Sequence, residues 1–152
     1  NTDADGPFLL EVADGKAVGD PQFLAQLGEA GLDFWPSSVS PDGRRIAGAI
    51  YSAAANPVGG AVYSLDDRTY RRVPTGEATA LHFLPDGRRL LLVSPREIRL
   101  FDLETGGVRS LVTTPEGGEI GAAALSPDGR FLAWHERTDE SDIWLAEFEE
   151  KR

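Results

Sequence analysis

The sequence predicts an all-β protein in which four-stranded antiparallel sheets repeat along the chain. The first observation is a five-residue phrase that occurs three times, with spacings of 44 and 42 residues, at Ser40–Arg44, Leu84–Arg88 and Ser126–Arg130. The second is the apolar run that follows each copy, at Ile46–Ile50, Leu90–Val93 and Phe131–Trp134. A period of about 40 to 45 residues that contains strand-like runs is typical of β-propeller blades.

The repeated phrase has the chemistry of a tight turn between two strands. Proline presets φ, aspartate can hydrogen-bond nearby backbone, and glycine accepts the positive φ that closes a hairpin. The residues predicted to build the turns are Pro41, Asp42, Gly43, Pro85, Asp86, Gly87, Pro127, Asp128 and Gly129. We assign the aspartates a structural role, because their spread over three blades prevents them from sharing a metal ion.

Each turn joins an inner strand to a second strand. Inner strands are predicted at 35–39, 78–83 and 120–125, and second strands at 45–51, 89–94 and 130–135. Third strands follow at Val62, Leu100 and Leu145, and fourth strands at 70–73 and 108–112. Four antiparallel strands in about 42 residues correspond to one propeller blade. The loop between second and third strands varies, and is predicted at 52–60, 95–96 and 136–142.

The N-terminal residues follow the same pattern in part. Residues 9–15 match residues 100–106, so the chain is predicted to start in the third strand of an earlier blade. The fourth strand of that blade is placed at 16–18 or, after an insertion, at 22–27. A short helix with Asp20 as its N-cap is the alternative for the second stretch, and we prefer the strand.

These assignments describe one domain over residues 1–152 that is a partial β-propeller. Three to three and a half blades leave the ring open, because closed propellers usually have at least four. The chain is expected to be the C-terminal part of a longer propeller or, less readily, half of a two-chain ring. Open blade edges favour association into a homo-oligomer. The predicted segments are 8–33 (end of a preceding blade), 34–74 and 77–113 (full blades) and 119–149 (an incomplete last blade).

Composition excludes several classes of function. A net charge of −10 and a pI of about 4.6 argue against nucleic-acid binding, which needs a basic face. The sequence has no cysteine, so it forms no disulfide and no thiolate site. Its longest apolar run is too short for membrane insertion. We find no nucleophile elbow, kinase motif, phosphate-binding loop or zinc-protease motif, and predict no catalytic activity, cofactor or metal within this segment.

Five residues are predicted to contact a protein or peptide partner, or the rest of the propeller. Trp35 stands at the start of an inner strand and would lie at the mouth of the central channel, whereas His82 lies within an inner strand and would face the channel. The other three belong to loops expected at the same mouth, or border them: Tyr51, Asn56 and Glu136. Core packing is the simpler explanation for Trp35, and a structural or surface role is the simpler one for His82.

The turn phrase, together with Asp142-Ile143-Trp144-Leu145, resembles the TolB-like class of propellers, which are related to WD-repeat proteins. The resemblance covers residues 8–149. It departs from the class where Leu84 replaces the usual serine, and in having tryptophan in the third strand of the last unit only. With Phe34-Trp35-Pro36, the ending also resembles the C-terminal propeller of bacterial membrane-anchored serine/threonine kinases.

The resemblance implies a non-catalytic scaffold or sensor in a larger bacterial protein, on the extracytoplasmic or periplasmic side of the membrane. Any chemistry would then belong to another domain. The alternatives are the propeller portion of a hydrolase, lyase or peptidase, and a TolB-like periplasmic transport or envelope component.

Overall fold

The computed structural model describes residues 6–138 and 142–147, which contain thirteen β-strands and no helix. The strands are β1 (Phe8–Ala13), β2 (Lys16–Phe23), β3 (Leu32–Val39), β4 (Arg45–Ser52), β5 (Pro57–Ser64), β6 (Tyr70–Val73), β7 (Ala80–Phe83), β8 (Arg89–Val93), β9 (Glu97–Asp102), β10 (Val108–Thr113), β11 (Glu119–Leu125), β12 (Phe131–Arg137) and β13 (Asp142–Glu147).

The strands form a series of four antiparallel sheets in chain order. A two-stranded sheet, β1–β2, is followed by the four-stranded sheets β3–β6 and β7–β10 and by the three-stranded sheet β11–β13. Within each sheet, neighbours along the chain are neighbours in space, which is the up-and-down connectivity of a propeller blade. The fold class predicted from the sequence is confirmed: the molecule is a partial propeller that does not close.

The three repeated phrases form the hairpin turns between inner and second strands. Their glycines, Gly43, Gly87 and Gly129, have φ values of 71°, 65° and 71°, which a residue with a Cβ adopts only with strain. The turns also touch one another across sheets: a Cβ on Gly129 would lie 2.7 Å from the Pro85 ring. We call the end of the sheets that carries these turns the turn end, and the opposite end the loop end.

Apolar side chains fill the space between successive sheets in three clusters. The first cluster joins β1–β2 to the next sheet and includes Leu24, Phe34, Ile50 and Tyr63. The second places Ala47 and Ala49 of β4 against the large side chains of β7–β10, and the third joins β8 and β9 to β11 and β12. The core is therefore divided into layers, each shared by two sheets.

The structure corrects three sequence-based expectations. Residues 16–23 form one strand, so the helix alternative at Asp20 is wrong. This strand contains the segment predicted at 16–18 and ends at Phe23, so most of the segment predicted at 22–27 is not a strand. The loop predicted at 52–60 shrinks to 53–56, because β4 extends to Ser52 and β5 begins at Pro57. The inner strand predicted at 35–39 begins earlier, at Leu32, so Trp35 lies inside β3 and not at its start.

The described part of the chain contains no helix that is long and apolar enough to span a membrane.

Candidate functional site

The inner strands β3, β7 and β11 end around a cavity at the turn end. The cavity has a volume of about 300 Å³. Most of its lining is apolar or proline, which leaves few groups to bind a polar ligand. The lining residues are Ser38, Val39, Pro41, His82, Phe83, Pro85, Leu125, Ser126 and Pro127.

His82 is the one histidine on this lining, and its imidazole has an unpaired nitrogen. The residue lies in β7 opposite Leu91, and its Nε2 atom is buried without a hydrogen-bond partner. Burial lowers the pKa of His82 below its ordinary 6.5, so the ring is neutral at pH 7. A neutral imidazole can offer or accept one hydrogen bond at this nitrogen, depending on its tautomer.

Two serines that the sequence analysis did not single out bind the backbone of β7 beside His82. Ser38 occupies the position of His82 in the previous repeat, and its hydroxyl donates to Leu81 O at 2.9 Å and accepts from Phe83 N at 3.0 Å. Ser37 bonds Leu81 N and O in the same way. These hydroxyls therefore satisfy the inner edge of β7, and His82 carries no such bond to β11.

The exposed Trp35 packs on the half-buried Tyr51 nearer the loop end. Trp35 is paired with Ala49 across β3 and β4, and 61% of it is exposed. Its ring lies 5.2 Å from the ring of Tyr51, whose hydroxyl contacts Thr79 O at 3.4 Å. The pair therefore lies where the first four-stranded sheet meets the second.

Trp35 also borders a wide depression of about 830 Å³ between the N-terminal hairpin and the first four-stranded sheet. Residues 26–36 and Tyr70 contribute to its wall. Burial raises the pKa of Tyr70 to about 12, and its hydroxyl donates to Ala25 O at 2.8 Å. This bond ties the segment between β2 and β3 to β6 at the wall of the depression.

The two remaining predicted contact residues, Asn56 and Glu136, belong to different sheets. Asn56 is exposed in the turn between β4 and β5, at the loop end with Tyr51. Glu136 does not belong to a loop, because β12 extends to Arg137 and pairs Glu136 with Ile120. Only 9% of Glu136 is exposed, and its carboxylate lies beside Gly118. The loop that follows lies largely outside the described residues.

The turn aspartates accept hydrogen bonds from within their own turns. Asp42 and Asp128 each accept from the serine two residues earlier and from the arginine N–H two residues later. These bonds lower the pKa of both carboxyls. Among residues 6–138 and the backbone of 142–147, no group of three or more histidines and carboxylates could hold a metal ion.

Comparison with family models finds no match, and comparison with curated proteins finds none. Solved structures do match. TolB from Acinetobacter baumannii superposes with a TM-score of 0.68 at 23% identity, covering 92% of this chain and 34% of TolB.

Two enzymes share the architecture. A prolyl endopeptidase matches with a TM-score of 0.68 at 18% identity, over 88% of this chain and 24% of the enzyme. An oligogalacturonate lyase from Vibrio parahaemolyticus matches with a TM-score of 0.59 at 16% identity, over 88% of this chain and 36% of the lyase. The chain thus spans about a quarter to a little over a third of these proteins, and it has the fold of a TolB-like β-propeller, of which it forms an open part.

Proposed function

We propose that this chain is a non-catalytic propeller scaffold that binds a protein or peptide partner, or senses a ligand, through its inner strands. The observation that carries the proposal is the exposed Trp35, which packs on Tyr51 and borders the wide depression. Exposed aromatic residues beside a concave surface are typical anchors of protein interfaces. From the sequence resemblance we further propose that the parent is a larger bacterial protein, such as a receptor-type serine/threonine kinase.

The rigidity of the site supports this function. Trp35 lies on a paired strand, Tyr51 packs against a buried cluster, and the serines of β3 tie that strand to β7. A partner that docks there meets side chains that are already ordered, so little conformational entropy is lost on binding. The acidic net charge of −10 favours a partner with basic residues around its apolar contact.

The test is selection of binders from a displayed library of random peptides, followed by affinity measurement on variants. We expect selected peptides to lose about 30-fold in affinity for Trp35→Ala, because a buried aromatic anchor contributes about 2 kcal/mol. Val58→Ala removes another exposed apolar side chain, on β5, and should leave affinity unchanged. Circular dichroism must show that both variants fold. Peptides that bind Trp35→Ala as tightly as the parent chain would place the interaction elsewhere.

The second candidate is a propeller that contributes to a hydrolase or peptidase site, and the unpaired imidazole of His82 favours it. A buried neutral imidazole can serve as a general base. The serine hydroxyls on the same cavity, of Ser38 and Ser126, are already engaged in backbone and turn hydrogen bonds. Hydrolysis of a fluorogenic prolyl peptide that is lost in His82→Asn would support this candidate, and the same rate in both proteins would dismiss it.

A further inference from the structure

Trp35 is exposed although the next sheet covers the rest of its face. Trp35 pairs with Ala49 across β3 and β4, so the two side chains lie on the same face of the first four-stranded sheet. Ala49 is fully buried in the cluster shared with β7–β10, whereas 61% of Trp35 is exposed. The sheet that covers this face is thus present, and the indole remains open to solvent at its inner edge.

The later repeats show that the fold does not need a large side chain at the position of Trp35. Counted from the turn aspartate, this position is held by Thr79 and Gly121. Matched by pairing with the second strand, it is held by Ala80 and Ala122. Two sheets therefore form with small residues there, which leaves the exposed indole available for a contact outside the chain.

A carboxylate without an ion pair lies next to this indole. Asp33 precedes Trp35 by two residues in β3, so both side chains point to the same face. Asp33 is paired with Tyr51, the residue on which Trp35 packs. It is exposed, and among the side chains that the structure describes, no arginine or lysine forms an ion pair with it.

An aromatic ring and a carboxylate at this spacing fit one guanidinium group. Residues two apart in a strand are separated by about 6–7 Å. The planar guanidinium of an arginine can stack on the indole and at the same time direct its N–H groups at the carboxylate. A lysine ammonium is a point charge that does not stack, so it uses the two groups less well.

Charge around the indole favours a cationic partner as well. Counted from the turn aspartates, Glu77 and Glu119 hold the position of Asp33 in the next two sheets, and both are exposed. Glu77 lies two residues before Thr79, whose carbonyl oxygen is contacted by the Tyr51 hydroxyl at 3.4 Å. Each sheet thus has a carboxylate at or just before the start of its inner strand, which attracts a basic peptide.

We infer that the partner presents an arginine side chain to Trp35 and Asp33. Its guanidinium stacks on the indole of Trp35 and donates hydrogen bonds to the carboxylate of Asp33. The inference rests on the proposed function, because it assigns the chemistry of the partner at the same aromatic anchor.

The test uses three synthetic peptides with blocked ends, Gly-Ser-X-Ser-Gly, in which X is arginine, lysine or citrulline. Binding is followed by NMR at the indole N–H signal of Trp35, which is assigned by its absence in Trp35→Ala. Citrulline has the shape of arginine without its charge, so the arginine peptide should bind about 10-fold more tightly than the citrulline peptide. The lysine peptide should bind more weakly than the arginine peptide.

A substitution at Asp33 separates its contribution from that of the ring. Asp33→Asn keeps the size of the side chain and removes its charge, so the affinity for the arginine peptide should fall about 5-fold and that for the citrulline peptide should not change. Asp20→Asn is the matched control, because it makes the same change of charge on β2, outside the lining of the wide depression. It should bind all three peptides as the parent chain does.

Three results would overturn the inference. They are an indole signal that the arginine peptide does not shift, a citrulline or lysine peptide that binds as tightly as the arginine peptide, and an Asp33→Asn variant that keeps the parent affinity. Library-selected peptides that need Trp35 but contain no arginine would overturn it and leave the proposed function standing. Selected peptides that bind Trp35→Ala as tightly as the parent would contradict the proposed function itself.

Discussion

At the residue scale, one substitution within the repeat shows how the turns work. Ser40 is 3% exposed, and its hydroxyl donates to Asp42 and accepts from Arg45 N at 2.9 Å. In the middle turn, Leu84 replaces the serine and cannot make these bonds. Asp86 instead accepts from the backbone of Arg89 and from its side chain. The carboxylate thus takes over the role of the missing hydroxyl.

We expect Ser40→Ala to lower the free energy of unfolding by about 1–2 kcal/mol at pH 7, because a buried backbone donor loses its partner. The hydrogen bond from Ser40 is the largest cause that holds the pKa of Asp42 below its ordinary 3.8. A lowered carboxyl pKa stabilises the fold above pH 3.8, and this contribution is lost as the pH falls through the folded-state value. The difference between variant and parent should therefore narrow below about pH 4.

Urea unfolding at pH 7 and at pH 3 measures this difference. Val39→Ala is the control. The Val39 side chain, next to Ser40, is largely exposed, so its truncation should change the free energy of unfolding by less than about 0.5 kcal/mol. An equal destabilisation by Ser40→Ala at both pH values would show that the Asp42 bond contributes nothing to it.

At the element scale, the close approach of strands depends on small residues. Gly48 lies in β4 opposite Pro36, and a Cβ there would lie 2.2 Å from Trp35 O and 2.8 Å from the Phe34 ring. The obstruction on one side is backbone, which cannot rotate away. Neighbouring sheets are also tied by polar bonds, including Arg45 Nη2 to Gly87 O at 2.8 Å.

Gly48→Ala should therefore destabilise the protein by about 3 kcal/mol, at the upper end of overpacking effects. Thermal and urea unfolding check this value. Gly107→Ala is a matched control, because the added Cβ would meet only the hydroxyl of Thr105, at 3.2 Å, and this side chain can turn aside. If both variants were equally stable, β3 and β4 would have to separate more easily than their pairing indicates.

At the scale of the whole molecule, stability should follow the position of each sheet in the series. Each apolar cluster is shared by two neighbouring sheets, so the chain resembles a repeat protein whose stability is a sum of local terms. Strand β8 is buried from Leu90 to Val93, whereas β1 and β2 are exposed almost throughout. The N-terminal hairpin is therefore expected to open at a lower free energy than the central sheets.

Hydrogen exchange checks this gradient. In dilute protein, amides of β8 should exchange slowest and amides of β1–β2 fastest among the described strands. Uniform exchange along the chain would contradict the view that stability is a sum of local terms.

Several features followed from sequence, because they depend on local chemistry. Pro-Asp-Gly specifies a turn wherever it lies, and three evenly spaced copies place the strands on either side. The extent of β12 could not be predicted in this way: Glu136 looked like the start of an acidic loop, but pairing with β11 extends the strand through it. The serine bonds of β3 were equally hidden, since Ser37 and Ser38 act on a strand more than 40 residues away.

The sequence by itself determined that this chain repeats a four-stranded unit, since turn chemistry and strand periodicity are properties of neighbouring residues. Only the tertiary structure decided which apolar residues are covered. Leu10 and Phe101 are interchangeable in sequence pattern, yet one is exposed and the other buried, because burial depends on whether a neighbouring sheet is present.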